Sequence, residues 1–227
     1  MIRLLGRVDR SFVIALSGGI DSMVALDFLT RCNYQRFRKR NVLALYFDHR
    51  TEHGTKAREY VQNFCIRNKI PIVIGCIDRD RERGESKEAH WREQRYSFFD
   101  SWYDRKHYRP VGFDSDSFRR SKIVTCHHLD DVVETYLFSS IRGNSKLIPH
   151  SRGRYLRPFL LTKKKQIVEY AERHGVQWLD DPSNLNQDFT RNFIRHTLIP
   201  NALKVNPGLY KTVKRKVIEQ YNDQQEF

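Results

Sequence analysis

The chain has 227 residues, 39% of them hydrophobic, and a formal net charge of +14. This length accommodates one α/β domain of ordinary size with an appendage, and the hydrophobic fraction is sufficient for a folded core. No run of about 18 apolar residues is present and no apolar segment follows the N-terminus, which argues against a membrane-spanning or secreted protein. A positive charge of this size is typical of proteins that bind a polyanion, although solvated surface Lys and Arg side chains are the simpler explanation in some proteins.

The four cysteines are scattered along the chain and form no CxxC pair. Their spacing argues against a zinc ribbon or an iron–sulfur site. Dispersed thiols suit the reducing cytoplasm, where we expect the protein to be located. The four are Cys32, Cys65, Cys76 and Cys126.

The first strong element along the chain is a glycine-containing loop between a strand and a helix. A strand-like run over 12–16 breaks into Ser17-Gly18-Gly19-Ile20-Asp21-Ser22, and an amphipathic helix follows at once. Glycines let backbone N–H groups turn toward an anion without a Cβ clash, and the helix points its positive end at the same place. No Lys follows the glycines, so the loop differs from GxxxxGK[ST]. We predict a phosphate-binding loop with hydroxyl donors from Ser17 and Ser22; a plain Gly turn is the alternative.

Strand and helix patterns alternate through the first half of the chain. Strands are predicted at 12–16, 42–47, 71–76 and 122–126, with helical patterns between them. This order predicts a parallel sheet covered by helices, in which ligands bind beyond the carboxyl ends of the strands. Polar segments follow three of the predicted strands, and we expect them to converge on one crevice: the Ser17 loop, Asp48-His49 and His127-His128.

The sequence changes character after Pro149. We assign residues 1–150 to the α/β domain and 151–227 to a short helical extension that completes the site. Thr162 is predicted to cap a helix with apolar positions such as Ile167 and Ala171, and a last helical region is predicted at about 190–203. A basic tail follows, with Lys204, Lys211, Lys214, Arg215 and Lys216.

A second strong cluster, Cys126-His127-His128-Leu129-Asp130-Asp131-Val132-Val133-Glu134-Thr135, combines histidines with acids at the start of a predicted helix. Asp131 and Glu134 are three residues apart, so their side chains share one side of the helix. Carboxylates beside a triphosphate bind Mg²⁺. Acids in a first turn also complement the helix dipole, but this explains one Asp better than three acids. A zinc site at His127 and His128 is disfavoured, because adjacent side chains diverge and no thiolate pair supports them.

These segments, in this order, resemble one enzyme family. SGGIDS, HHLDDVVET, RPF-LL and DDPSNLNQDFTRNFIRHTLIP are similar in content and order to tRNA(Ile)-lysidine synthetases, members of the PP-loop superfamily of N-type ATP pyrophosphatases. Glu88 to Tyr96 resembles the family's A-R-x-x-R-Y helix. The resemblance covers about residues 10–200, and its last segment, Asp181 to Arg195, is the most diagnostic because related pyrophosphatases lack it. The fold that it implies is a Rossmann-like, parallel-sheet PP-loop domain of the adenine nucleotide alpha hydrolase-like type.

The resemblance also implies a reaction. Enzymes of this family convert the wobble cytidine of the CAU-anticodon isoleucine tRNA to lysidine. ATP adenylylates the cytosine at its C2 oxygen, and the amine of free lysine then displaces AMP. The expected ligands are therefore ATP, Mg²⁺, free L-lysine and tRNA(Ile), and no association with a membrane is expected. Whether the protein forms a homodimer is an open question at this point.

The family's site residues carry over onto this chain one by one. ATP binding is expected from the loop and the two histidines: Ser17, Gly18, Gly19, Asp21, Ser22, His127 and His128. Catalytic roles are expected for Asp21, Asp131, Glu134 and Arg195, of which the three acids are also candidates for Mg²⁺ or for handling the lysine amine. Contacts to tRNA are expected from Arg92, Arg95, Arg191, Asn192, Lys211 and Lys214.

Two other functions stay open at this point. A tRNA thiolase of the same superfamily would need paired or catalytic cysteines, and CxxC is absent from the chain. A non-catalytic tRNA-binding module with a decayed nucleotide site would bind RNA without consuming ATP, but the intact SGGIDS and DDVVET segments argue against decay. Members of the family usually continue into further tRNA-binding domains, and the stretch after Arg142-Gly143 has fewer glycines than theirs. How tRNA identity is recognised is therefore left open.

Overall fold

The computed structural model describes residues 1–31, 41–102, 118, 120–181 and 190–225. They form two compact units. The strand unit comprises Val8–Val124 and Gln177–Leu179, and the helical unit comprises Met1–Arg7, Thr125–Val176 and Asp180–Phe227. Each unit joins distant stretches of chain, and the domain boundary placed near residue 150 stays a prediction.

The strand unit is built on a parallel sheet in the order β3-β2-β1-β4. Its strands are β1 (Ser11–Leu16), β2 (Asn41–Asp48), β3 (Ile72–Cys76) and β4 (Ile123–Val124). The centres of β1 and β2 are inaccessible to solvent, as expected for apolar strands covered on both faces. The predicted parallel α/β fold is confirmed, although β4 is shorter than its predicted range.

The strand unit contains three helices among the described residues whose bounds matter for the site, and two of them have a side-chain cap at their start. The three helices are α1 (Ile20–Arg31), α2 (Glu52–Arg67) and α3 (Lys87–Ser101). Thr51 caps α2 by accepting a hydrogen bond of 2.9 Å from the backbone N–H of Gly54, and Ser86 caps α3 in the same way. Against β3, the ring of Phe98 packs so closely that a Cβ atom on Gly75 would lie 2.3 Å from it. Gly75 therefore sets how near α3 approaches the sheet.

The helical unit contains α4 (Leu129–Ile141), the antiparallel pair β5 (Ser151–Arg152) and β6 (Tyr155–Leu156), and α5 (Lys164–His174). The prediction that Thr162 caps α5 is wrong, because the capping position is Lys163. The Thr162 hydroxyl instead donates to the carbonyl of Arg3 at 2.7 Å and accepts from its N–H at 3.0 Å. A side chain bonded to the N-terminal segment in this way is not available to the helix.

The last helical region is not one regular helix. It consists of α6 (Thr190–Phe193), a π-helical segment (Ile194–Leu198) and α7 (Ile199–Val205). Lys204 of the basic tail lies in α7, and the rest of the tail folds into α8 (Leu209–Asp223), whose apolar face joins Leu129, Val132 and Val133 of α4 in one core. Leu129, Val132 and Val133 therefore form the buried apolar side of α4. No helix among the described residues is long and apolar enough to span a bilayer.

We expect Gly75→Ala to lower the free energy of unfolding by about 1–3 kcal/mol, because the added Cβ overpacks the contact with Phe98. Urea unfolding measures the change. The double variant Gly75→Ala/Phe98→Leu is the control: relief of the clash makes its cost smaller than the sum of the two single costs. Additive costs would contradict this account of the contact.

Candidate functional site

The Ser17–Ser22 loop begins where β1 ends and is held by hydrogen bonds between its own residues. The Ser22 hydroxyl donates to the carbonyl of Gly19 at 2.9 Å and accepts from the backbone N–H of Ser17 at 3.1 Å. Because the single Ser22 proton is used on Gly19, the 3.2 Å contact between the two hydroxyls is donated by Ser17. The Gly19 N–H donates in turn to the Ser17 hydroxyl at 3.3 Å. The two serines therefore hold the shape of the loop in this structure.

The two loop glycines meet different constraints. Gly18 has φ +84, and a Cβ there would lie 3.2 Å from the Val61 side chain on α2. Its carbonyl also accepts from the Leu179 N–H at 2.9 Å. A Cβ on Gly19 would meet only the Ser17 hydroxyl, at 3.5 Å. Gly18 is thus required by the fold, whereas the fold alone does not require Gly19.

Asp48 ends β2 and organises the turn behind it. Asp48 is buried, and its carboxylate accepts from the backbone N–H of Arg50 at 2.7 Å, with the Arg58 guanidinium 3.8 Å away. The next residue, His49, lies against the ring of Trp91 with 5.0 Å between ring centroids. Asp48 therefore has a structural role, while His49 contacts α3.

Two acids on α4 converge on one arginine from the π-helical segment. Arg195 donates through Nη2 to Asp131 Oδ1 at 2.9 Å and through Nε to Glu134 Oε2. The Arg191 guanidinium lies 3.6 Å from Glu134 Oε1. The two carboxylates are largely buried and Arg195 is 41% exposed, so one side of this cluster faces solvent. We refer to Asp131, Glu134, Arg191 and Arg195 as the acid–arginine cluster.

The two acids of this cluster differ in electrostatics. Burial acts to raise the pKa of Asp131, but the charges of His128 and His127, the His128 N–H and Arg195 together outweigh it and hold that pKa below its ordinary value. Burial raises the pKa of Glu134 above its ordinary value, with the charge of Arg195 acting against it. Asp131 is therefore the more firmly ionised of the two.

Asp131 also caps its own helix. Its Oδ2 accepts from the backbone N–H of His128 at 2.9 Å, so both oxygens of this carboxylate are in use. His128 is buried, and the ring of its neighbour His127 lies 3.1 Å from the Thr125 hydroxyl through Nδ1. Asp131 therefore has a capping role at the start of α4 in addition to its contact with Arg195.

Asp130 is fixed by partners that the sequence did not indicate. Its carboxylate accepts from the backbone N–H of Lys164 at 2.7 Å and from the Tyr210 hydroxyl at 2.8 Å. Burial and the charge of Asp130 raise the pKa of Tyr210, so this phenol stays protonated. Asp130 therefore ties α4 to α5 and α8, and the pairing of these distant residues has no local pattern in the sequence.

The predicted RNA contacts lie in both units. Arg92 and Arg95 are on α3, where their guanidinium carbons lie 4.8 and 5.8 Å from the Tyr96 ring centroid. Asn192 is buried, whereas Arg191 and Lys211 are exposed and Lys214 is half-buried. Ser183 and Asn184 lie outside the described residues. The convergence expected for the Ser17 loop and the two histidines stays a prediction, because they belong to different units.

The chain matches the family model of the PP-loop domain over residues 3–202. It is 34% identical over 213 residues to the tRNA(Ile)-lysidine synthase of Thermotoga maritima, covering 90% of this chain and 48% of the relative. The corresponding Bacillus subtilis protein is 31% identical, with 96% of this chain and 45% of the relative covered. This chain therefore spans about half the length of these curated relatives.

A solved structure shares the fold at lower identity. The U34-tRNA thiolase NcsA of Methanococcus maripaludis, described with its [4Fe-4S] cluster, superposes with a TM-score of 0.71 at 16% identity and covers 95% of this chain and 74% of that one. At this identity the likeness shows the fold alone. The resemblance indicated by the four sequence segments is confirmed by the lysidine synthase relatives, and the chain belongs to the PP-loop domain family.

Proposed function

We propose that this chain carries tRNA(Ile)-lysidine synthase activity: ATP-dependent attachment of lysine to C2 of the wobble cytidine in the CAU-anticodon isoleucine tRNA, with release of pyrophosphate and AMP. The observation that supports it most is the acid–arginine cluster. Its acids come from the HHLDDVVET segment and its arginines from the segment that ends in RNFIRHTLIP, and both segments belong to the resemblance with this family.

The Ser17–Ser22 loop is proposed to bind the pyrophosphate portion of ATP. Helix α1 begins at Ile20, directly after the two glycines, and the positive end of its dipole suits phosphate oxygens. Asp21 lies in that first turn and is a candidate for holding Mg²⁺ beside the phosphates. Ser17 and Ser22 keep the loop open, and the bare Cα of Gly19 lets the backbone approach the ligand.

The acid–arginine cluster is proposed to act on the activated base and the lysine. Asp131 and Glu134 already face one cationic group, so their geometry suits a bound cation, either Mg²⁺ or the lysine ammonium. Mg²⁺ would supply charge neutralisation on the phosphates. Arg195 would then stabilise negative charge on the leaving phosphate, and electrostatics aimed at the transition state are the expected source of rate.

One acid is also proposed to accept a proton from lysine. Only the neutral amine attacks C2; the new C–N bond forms, the bond from C2 to the AMP oxygen breaks, and the proton lost by nitrogen passes to a carboxylate. Glu134 suits this step because burial raises its pKa toward that of a useful base. The lowered pKa of Asp131 suits a carboxylate that stays ionised throughout the reaction.

The thiolase alternative receives no support from Cys65. Cys65 is buried in α2, and burial raises the pKa of its thiol to about 12. A catalytic thiol needs a lowered pKa and access to its substrate. Cys65 therefore behaves as a small core residue.

The activity is tested with Mg²⁺-ATP, labelled lysine and a CAU-anticodon isoleucine tRNA. We expect lysine to be incorporated, because the site residues of both segments are intact. The matched control is the same tRNA with the wobble cytidine replaced by uridine, which should accept no lysine. AMP formation without lysine transfer would support the adenylylation step and would contradict the proposal that lysine is the nucleophile. Tight tRNA binding without either product would favour the binding module.

Asp131→Asn separates the charge of this acid from its capping role. The amide oxygen still accepts from His128, so the cap is kept, while loss of the charged hydrogen bond to Arg195 should lower the free energy of unfolding by about 1–3 kcal/mol. Loss of the charge should lower single-turnover AMP formation by about 10²–10³-fold, with tRNA affinity nearly unchanged. Asp130→Asn is the neighbouring control, expected to cost stability through Tyr210 and Lys164 and to keep AMP formation. Equal activity of the two variants would refute the assignment.

Gly18→Ala and Gly19→Ala are expected to affect different properties. At Gly18 the positive φ and the Val61 contact should cost about 1–3 kcal/mol of stability, measured by urea unfolding. At Gly19 the free protein accommodates a Cβ, so stability should be kept while ATP affinity, measured by calorimetry, falls at least about tenfold through contact with phosphate. Normal ATP affinity in Gly19→Ala would contradict the proposed path of the phosphates.

A further inference from the structure

One face of α3 carries a cation, an aromatic ring and a second cation at intervals of four residues. Lys87, Trp91 and Arg95 lie about 6 Å apart along the helix axis, since each residue rises about 1.5 Å. The Lys87 ammonium is 4.5 Å from the centroid of the Trp91 ring. This lysine is exposed, while Trp91 and Arg95 are half-buried.

The Trp91 ring is held in place by His49, the residue that follows β2. Its neighbour His49 lies at 5.0 Å between centroids with 36° between the ring planes. His49 in turn meets Phe47 edge to face, at 5.1 Å and 75°. The indole is therefore oriented by contacts with the carboxyl end of β2, the edge of a parallel sheet at which ligands bind.

Trp91 is not among the buried residues of α3. The core contacts of this helix come from His90, Gln94, Phe98 and Phe99, all of them buried. The Trp91 ring instead stays half-exposed beside Lys87, with Arg95 on the next turn of the helix. This is the arrangement that single-stranded nucleic acids use, in which bases stack on rings and phosphates bind cations.

We propose that Lys87, Trp91 and Arg95 form a stacking site for one unpaired base of the substrate RNA, a proposal that rests on the tRNA substrate proposed above. The base stacks on Trp91, and the exposed Lys87 leaves the ring to bind a flanking phosphate. Arg95 takes the phosphate on the other side. The exposed surface of α3 also carries acids, including Glu88 and Glu93, and Glu93 is paired with Arg79 at 3.2 Å.

The test measures binding of an RNA hairpin with a CAU loop at several salt concentrations. Trp91→Leu keeps an apolar side chain but removes the π-face, so affinity should fall about tenfold at every salt concentration with an unchanged salt slope. Lys87→Ala should lower the salt slope by about one counterion. Tyr170→Leu is the matched control, because Tyr170 also lies against a histidine, His174, with 4.1 Å between ring centroids. This substitution should leave RNA affinity unchanged, since Tyr170 is not part of the proposed stacking site.

Two further measurements separate the alternatives. Urea unfolding shows whether Trp91→Leu is folded, and ATP affinity without RNA shows whether the ring serves adenine instead. Unchanged RNA affinity, or a loss confined to ATP affinity, would overturn the proposal. Hairpin binding needs no turnover, so the result is independent of whether lysine or another nucleophile completes the reaction.

Discussion

Arg195 holds the two acids of α4 together, and through this contact it joins α4 to the π-helical segment. Two carboxylates one helical turn apart would repel each other if they were buried without a cation, and burial of an unpaired charge costs several kcal/mol. The Arg195 guanidinium donates one hydrogen bond to each carboxylate, from Nη2 to Asp131 and from Nε to Glu134. Because the contact joins α4 to the π-helical segment, its geometry depends on the packing between these elements. The core of α4 and α8 supplies that packing.

The neighbouring acid shows a different use of the same residue type. Asp130 bonds to Lys164 and Tyr210 and so fixes how α4 meets α5 and α8, while Asp131 faces Arg195. Adjacent aspartates thus make different contacts: Asp130 joins three helices, and Asp131 pairs with Arg195. The two glycines of the Ser17–Ser22 loop differ in a similar way. Gly18 adopts a positive φ and packs close to Val61, whereas the missing side chain of Gly19 leaves open space beside the backbone.

The sequence predicted the parallel sheet and the loop because both depend on local patterns: apolar runs, a pair of glycines and a following helix. The membership in the PP-loop family followed from short segments in a fixed order. Hydrogen bonds between distant residues could not be predicted in this way. Thr162 looked like a helix cap, but its hydroxyl bonds to Arg3, and the partners of Asp130 lie 34 and 80 residues away. The π-helical segment also has no pattern that distinguishes it from an ordinary helix.

That π-helical segment constrains how the chain can vary. A π-helical turn contains one residue more than an α-helical turn, so removing a residue from Ile194–Leu198 would restore regular winding and rotate what precedes it by about 100° relative to α7. Arg195 would then point away from the acids that it joins. The spacing between Arg195 and Pro200 is therefore as much a part of the site as the side chains themselves. Variation here should proceed by substitution, with insertions and deletions excluded.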